Sequence, residues 1–136
     1  NEVIIEEAVP GFEVGCAVLG NESLIVGAVD QVELAGGLFD FREKYTPVTS
    51  AIHCPALIPD HKAYEIRETA KVIYKSLGCR VFARVDMFLR PDGEIVFNEV
   101  NTIPGFTAHS RYPSMMAAIG IDFTSLVTKI IELGVE

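Results

Sequence analysis

The chain has 136 residues, 49% apolar and 22% charged, which is one domain's worth of material with enough apolar surface for a real core. A net charge of −8 and eleven scattered basic residues exclude a nucleic-acid-binding face, which needs a basic stripe against phosphate. No apolar run approaches the ~18 residues of a membrane helix, and nothing reads as a signal peptide, linker, repeat or low-complexity tract. Cys16, Cys54 and Cys79 form no C-x-x-C pair and read as small hydrophobes in a reducing, cytoplasmic setting. The chain opens at Asn1, without methionine and inside a strand-like run, so it is expected to be part of something longer.

In chain order, "EVIIEEAVPG" reads as a strand closing in a Pro-Gly turn. "EVGCAVLGNESLIVGAVDQVEL" reads as a hairpin turning at Gly20-Asn21-Glu22. From about 35 to 50, "AGGLFDFREKYTPVTS" has no stable period, and a gap that long is more often functional than accidental. A helix should begin at Pro59-Asp60 with Asp60 as N-cap, bury Ala63, Ile66, Ala70, Ile73 and Leu77, and stop at Gly78. Tyr64 and Tyr74 on it are packing or surface residues. Two strands follow, "RVFARVDMFL" and "EIVFNEVN". A last helix is expected from about Asp122 to Leu133, burying Phe123, Leu126, Val127, Ile130 and Ile131. The layout is α+β, with helices packed on a mostly antiparallel sheet.

The last hairpin carries the chemistry. Glu99 and Asn101 lie two residues apart, so they share a face of their strand. Matching apolar faces places Asp86 opposite Glu99 and Arg84 opposite Asn101, with Phe88 and Phe97 flanking them on the same side. A three-residue turn would shift this pairing by one, so a longer turn is expected. Opposed carboxylates about 5 Å apart repel without a counter-ion. Two carboxylates and an amide oxygen are the hard ligands that magnesium takes, leaving room for water and phosphate oxygens. A pair of arginines, water at a sheet edge, or an ordinary Arg84–Asp86 surface ion pair are the plainer alternatives.

These residues resemble a family. "ARVDMFL" followed by "EIVFNEVNTIPGFTAHSRYP" looks like the C-terminal lobe of the D-alanine–D-alanine ligases, in the ATP-grasp superfamily. The resemblance spans residues 1–136, and the joint motif N-E-x-N-T-x-P-G-F-T with A-H-S is highly specific. It implies that Asp86, Glu99 and Asn101 are magnesium ligands, for two ions or for manganese in their place. Arg84 and the Gly105 backbone would contact the transferred phosphoryl group and the oxyanion. Ser110 would hold the second amino acid's carboxylate. Lys44 and Tyr45 would belong to a lid over ATP at about 35–50. Glu6, Glu7, Ala8 and Val9 would form the hinge touching adenine, and Glu13 would bind ribose.

The implied reaction is phosphorylation of the first D-alanine carboxylate by ATP, then attack on the acyl phosphate by the amine of a second D-amino acid. The product would be a cell-wall precursor dipeptide. Glu7 departs from the lysine common at its position. Arg111 departs from the usual leucine and resembles the D-alanine–D-serine ligases of vancomycin resistance, where a guanidinium would bond a hydroxymethyl group; an outward-pointing Arg111 is the alternative. Tyr45 in the lid argues against the D-lactate branch. The family's N-terminal and central regions, with their phosphate-binding lysines and Gly-rich loop, do not occur here, so the chain alone should catalyse little or nothing. Family members are often dimers. Another ATP-grasp carboxylate–amine ligase, or a non-catalytic metal-binding domain, are the competing readings. His53, His61 and His109 have no metal-ligand spacing and read as structural or exposed.

Overall fold

The structure, a computed structural model, describes residues 2–34 and 50–136. Five strands form one antiparallel sheet: β1 (Phe12–Leu19), β2 (Ile25–Leu34), β3 (Ser50–His53), β4 (Phe82–Leu89) and β5 (Ile95–Asn101), in the order β3-β2-β1-β4-β5. The helices are α1 (Asp60–Ser76), α2 (Arg111–Ala117) and α3 (Phe123–Gly134). None is long and apolar enough to cross a membrane.

Because β1 is the central strand, it is covered on both faces, which is why it reads as an almost unbroken apolar run. On one face Val14, Cys16, Val18, Val85 and Met87 pack against Ile66, Ala70 and Tyr74 of α1. On the other, Ala17 and Leu19 meet Tyr112, Met115 and Met116 of α2 and Leu126 of α3. This second core covers only the Ala17–Leu19 end of β1. Toward Glu13 and Gly15 the same face is polar, and the candidate site lies there.

The hairpin of β1 and β2 turns where expected, with Leu19 opposite Ile25. Several expectations need correction. Residues 2–10 form no strand: Val3, Ile4 and Ile5 are 82%, 85% and 93% exposed, and a strand needs a neighbour to take its backbone bonds. Asp60 is the first helical residue of α1, and Pro59 holds the cap position without a side-chain bond. Leu77 is 57% exposed, whereas Tyr74 is fully buried and its hydroxyl donates to the Gly20 carbonyl at 2.9 Å. In α3, Ile131 is largely exposed and Phe123 partly so, its ring against Phe106; the inward stripe is Leu126, Ile130 and Leu133. Two short elements, β3 and α2, had no clear period of their own. Each is held by its partner, β3 by the edge of β2 and α2 by the second core.

Arg84 pairs with Asn101 and Asp86 with Glu99, as face matching requires, but by another route. The turn is the short one: the Arg90 amide donates to Glu94, the Gly93 amide donates back to Arg90, and Gly93 has φ +89°. A bulge at Asn98 then absorbs one residue between the Met87–Phe97 and Asp86–Glu99 pairs. Phe97 consequently shares the face of Met87, not that of Phe88 and Glu99. All three cysteines are free; Cys16 is buried, while Cys54 and Cys79 are half-buried.

Candidate functional site

Register builds the site. Asp30 stands opposite Gly15, Gly15 opposite Asp86, and Asp86 opposite Glu99, so three acids from β2, β4 and β5 form one row across the sheet with a gap at β1. One step along, Arg84 and Asn101 oppose each other, flanked by Ala17; one step back lies Glu13 opposite Phe88. All point to one face, because paired residues share a face and alternate residues return to it.

Asp86 is 1% exposed and accepts from Arg84 Nε at 2.8 Å and Arg84 Nη2 at 2.7 Å. Asn101 Nδ2 donates to Asp86 Oδ2 at 2.8 Å and to Glu99 Oε1 at 3.2 Å. The Arg84–Asp86 pair therefore exists, but it is buried and draws Glu99 and Asn101 into its network rather than standing on the surface.

Arg111 neither points to solvent nor stands apart from the sheet. It begins α2 and lies across the acid row with Nε and Nη2 on the two Asp30 oxygens, at 2.7 and 2.8 Å, and Nη1 on Glu13 Oε1 at 2.6 Å. Its Nη2 is 3.6 Å from Asp86 Oδ1. Burial pushes the Glu13 carboxyl up and the Asp86 charge adds to the rise, while the charge and hydrogen bond of Arg111 oppose it without cancelling it. Among the described residues, the four carboxylates Glu13, Asp30, Asp86 and Glu99 meet two guanidiniums, Arg84 and Arg111.

No group of three His, Cys, Asp or Glu among the described residues is set to hold a metal by itself. Asp86 and Glu99 with the Asn101 amide oxygen would make a smaller set of hard donors, which suits magnesium completed by water or phosphate oxygens. Asn101 now presents its nitrogen to both carboxylates, and a half-turn of the amide exchanges nitrogen for oxygen. The residues present fit the ion.

Ser110 precedes α2, and its Oγ accepts from the Thr107 amide at 2.9 Å. A Cβ on Gly105 would lie 3.2 Å from that Oγ, so the loop folds Gly105 and Ser110 together. Glu6, Glu7 and Ala8 are exposed and Val9 is half-buried; Glu7 meets Arg90 at 3.3 Å. Lys44 and Tyr45 lie outside the described residues. His53 pairs with Glu33 at 2.9 Å, while His61 and His109 are exposed.

Sequence reasoning missed Asp30 and Gly15. The signal that picked out Glu99, an acid in an apolar strand, was present at Asp30 too; that at Gly15 was not, because a glycine shows its purpose only through its neighbours.

An antiparallel sheet with one face on a long helix and the other bearing arginine-bridged carboxylates is the C-terminal lobe of an ATP-grasp fold. The chain belongs to the family described as D-ala D-ala ligase C-terminus, whose model matches residues 1–132. The vancomycin B-type resistance protein VanB of Enterococcus faecalis is 50% identical over 140 residues, covering 99% of this chain and 41% of VanB. The crystal structure of the VanG D-Ala:D-Ser ligase from Enterococcus faecalis superposes with a TM-score of 0.84 at 59% identity, over 93% of this chain and 37% of VanG. The D-alanine–D-alanine ligase from Bacillus anthracis complexed with ATP superposes with a TM-score of 0.77 at 27% identity, over 96% of this chain and 40% of that one. The chain thus spans about two fifths of the length of these relatives.

Proposed function

We propose that the chain is the ATP- and magnesium-binding lobe of a longer, cytoplasmic D-alanine–D-serine ligase. Such an enzyme makes a dipeptide for a cell wall that resists vancomycin. The observation that carries the reading is the convergence of Arg84, Asp86, Glu99 and Asn101 on one sheet face, in a chain of this family. The D-serine choice draws support from the 59% identity to a D-Ala:D-Ser ligase; D-alanine as second substrate is the alternative.

Asp86, Glu99 and Asn101 would hold magnesium, which would neutralise phosphate charge when bound. Arg84 is aimed at the same place and stabilises the phosphoryl group as it passes from ATP to the carboxylate of the first D-alanine, releasing ADP. The amine of the second amino acid then attacks that acyl phosphate, its proton leaves, and inorganic phosphate departs as the amide forms. The Gly105 backbone would face the tetrahedral oxyanion and Ser110 the second carboxylate. Glu13 would bind ribose, Glu6 to Val9 would line the adenine, and Lys44 and Tyr45 would belong to the closing lid. The lobe supplies position and charge, and the rest of the longer ligase supplies the first D-alanine site.

The test is phosphate release from ATP by the complete ligase, with D-alanine alone and with D-serine or D-lactate added. D-serine should stimulate most. Arg84→Ala should lower turnover on the order of 10²- to 10³-fold, and the isolated 136-residue chain should show none. Stimulation by D-lactate but not D-serine would move the protein to a depsipeptide ligase, and no release with any D-amino acid would sink the reading.

A further inference from the structure

Gly15 is the one position in the acid row without a side chain, and its surroundings are unusually close. A Cβ built there would lie 2.5 Å from Arg111 Nη2, 2.6 Å from Asp30 Oδ1 and 3.0 Å from Asp86 Oδ1. Heavy atoms do not approach a real Cβ as closely as the first two, and the third is tight, so Arg111 and Asp30 occupy space that any other residue would fill. The Gly15 backbone is ordinary strand and not left-handed, so turn geometry does not demand the glycine. A glycine inside a strand weakens it, and often marks a place where another group must come close. Its amide also donates to Asp30 Oδ1 at 2.9 Å, which aims that carboxylate at Arg111.

We propose that Gly15 and Asp30 together form the seat of Arg111, with Gly15 a positioning residue of the ligase reaction. The missing Cβ lets the guanidinium settle onto Asp30, and from there it reaches Glu13 on one side and approaches Asp86 on the other. Arg111 begins α2 immediately after Ser110, so the seat also fixes the second-substrate loop relative to the acids that face nucleotide and metal. The proposal rests on the ligase reading for its kinetic consequence, but not for its structural one.

A second glycine gives the contrast. Gly27 in β2 faces α2, and a Cβ there would lie 3.1 Å from the Met115 backbone oxygen and 3.2 Å from Ala17 Cβ. Those atoms belong to backbone and packed core and give only if α2 shifts by a few tenths of an ångström against the sheet. The atoms above Gly15 are the ends of side chains, which swing. Gly15→Ala should therefore rearrange the ion pairs of the site at some cost in stability, and Gly27→Ala should leave those pairs and the turnover in place.

Both variants are made in the complete ligase and followed by thermal unfolding, crystal structure and steady-state kinetics. Gly15→Ala is expected to fold but to melt below wild type, with Arg111 displaced from Asp30 and Glu13 and the buried Asp30 carboxylate short of its counter-charge. Its kcat should fall about 100-fold, the scale of an ångström-sized misplacement, while KM for ATP changes much less. Gly27→Ala should melt lower with normal activity per folded molecule. Wild-type contacts and wild-type turnover in Gly15→Ala would overturn the proposal. If the wild-type ligase itself is inactive, the functional reading fails and the crystal structure alone decides the seat: Arg111 still paired with Asp30 in the Gly15→Ala protein refutes it. Should Gly15→Ala not fold, Asp30→Asn, which keeps the shape but loosens the grip on Arg111, must show the same fall in kcat, and normal turnover there refutes the proposal.

Discussion

Burial alone would lower the pKa of Arg111, yet its bonds to Asp30 and the charges of Asp30, Asp86 and Glu13 outweigh it and the pKa rises. The guanidinium is therefore charged at every working pH, and Asp30, fully buried, depends on it. Removing one partner of a buried pair leaves an uncompensated charge, so Arg111→Leu should cost about 3–5 kcal/mol in denaturant unfolding. Arg111→Lys should lose less, since it keeps the charge but not the two-pronged grip. An Arg111→Leu protein as stable as wild type would show that the acids find other partners. Glu13 behaves oppositely to a salt-bridged surface acid. Its folded pKa lies above the ordinary 4.5, so its contribution to stability is fully present below that value and is lost as pH rises through the raised pKa. Glu13→Gln should flatten the stability–pH curve in that window, and an unchanged curve would refute the assignment.

At the scale of elements, α3 starts on Asp122, whose side chain accepts from the Ser125 amide at 2.9 Å. That backbone bond, with a second from the Ser125 hydroxyl, holds the Asp122 carboxyl below its usual 3.8. A lowered pKa means that the cap stabilises α3 above 3.8 and fades as pH falls through the folded value. Asp122→Asn should keep a cap but lose this acid dependence, and Asp122→Ala should lower the melting temperature at neutral pH. Equal melting of all three proteins across that range would remove the cap from the account. The β4–β5 hairpin makes a less obvious prediction. Asn98 is the residue absorbed by the bulge, so its deletion should restore a regular ladder in which Asp86 still faces Glu99 and Arg84 still faces Asn101. The complete ligase lacking Asn98 should fold and retain turnover. Folded protein without activity would mean that the bulge itself aims the Glu99 carboxylate.

Across the whole molecule, the sheet divides its work between faces: α1 covers the centre of one, and α2 with α3 covers only part of the other. The remainder of that face carries the acid row, in which Asp30 and Asp86 are buried beneath Arg111 and Arg84. The segment before β1 lies outside both cores, with Val3, Ile4 and Ile5 almost wholly exposed. Substituting Ile4 and Ile5 by serine in this chain should leave its unfolding free energy within about 0.5 kcal/mol of wild type, as for other surface changes. A larger loss would show that the segment packs against the lobe.

Alternation and spacing alone determined the β1–β2 hairpin and the inward face of α1 from Ile66 to Ala70, because each follows from side-chain period along a single segment. Face matching gave the opposition of Asp86 to Glu99, but the short turn and the bulge that produce it were not legible in the period. The motif around Glu99, Asn101 and Gly105 carried the family. Tertiary structure alone decided the rest. Whether Val3 to Ile5 form a strand depends on a neighbour, the face of Phe97 on a single bulged residue, and the existence of α2 on a core built by distant segments. Arg111, Asp30 and Gly15 lie far apart in the chain and meet only through strand register and the packing of α2. No local pattern could announce that a guanidinium from residue 111 fills the space left by a missing Cβ at residue 15, because charge pairing acts through space and period acts along the chain.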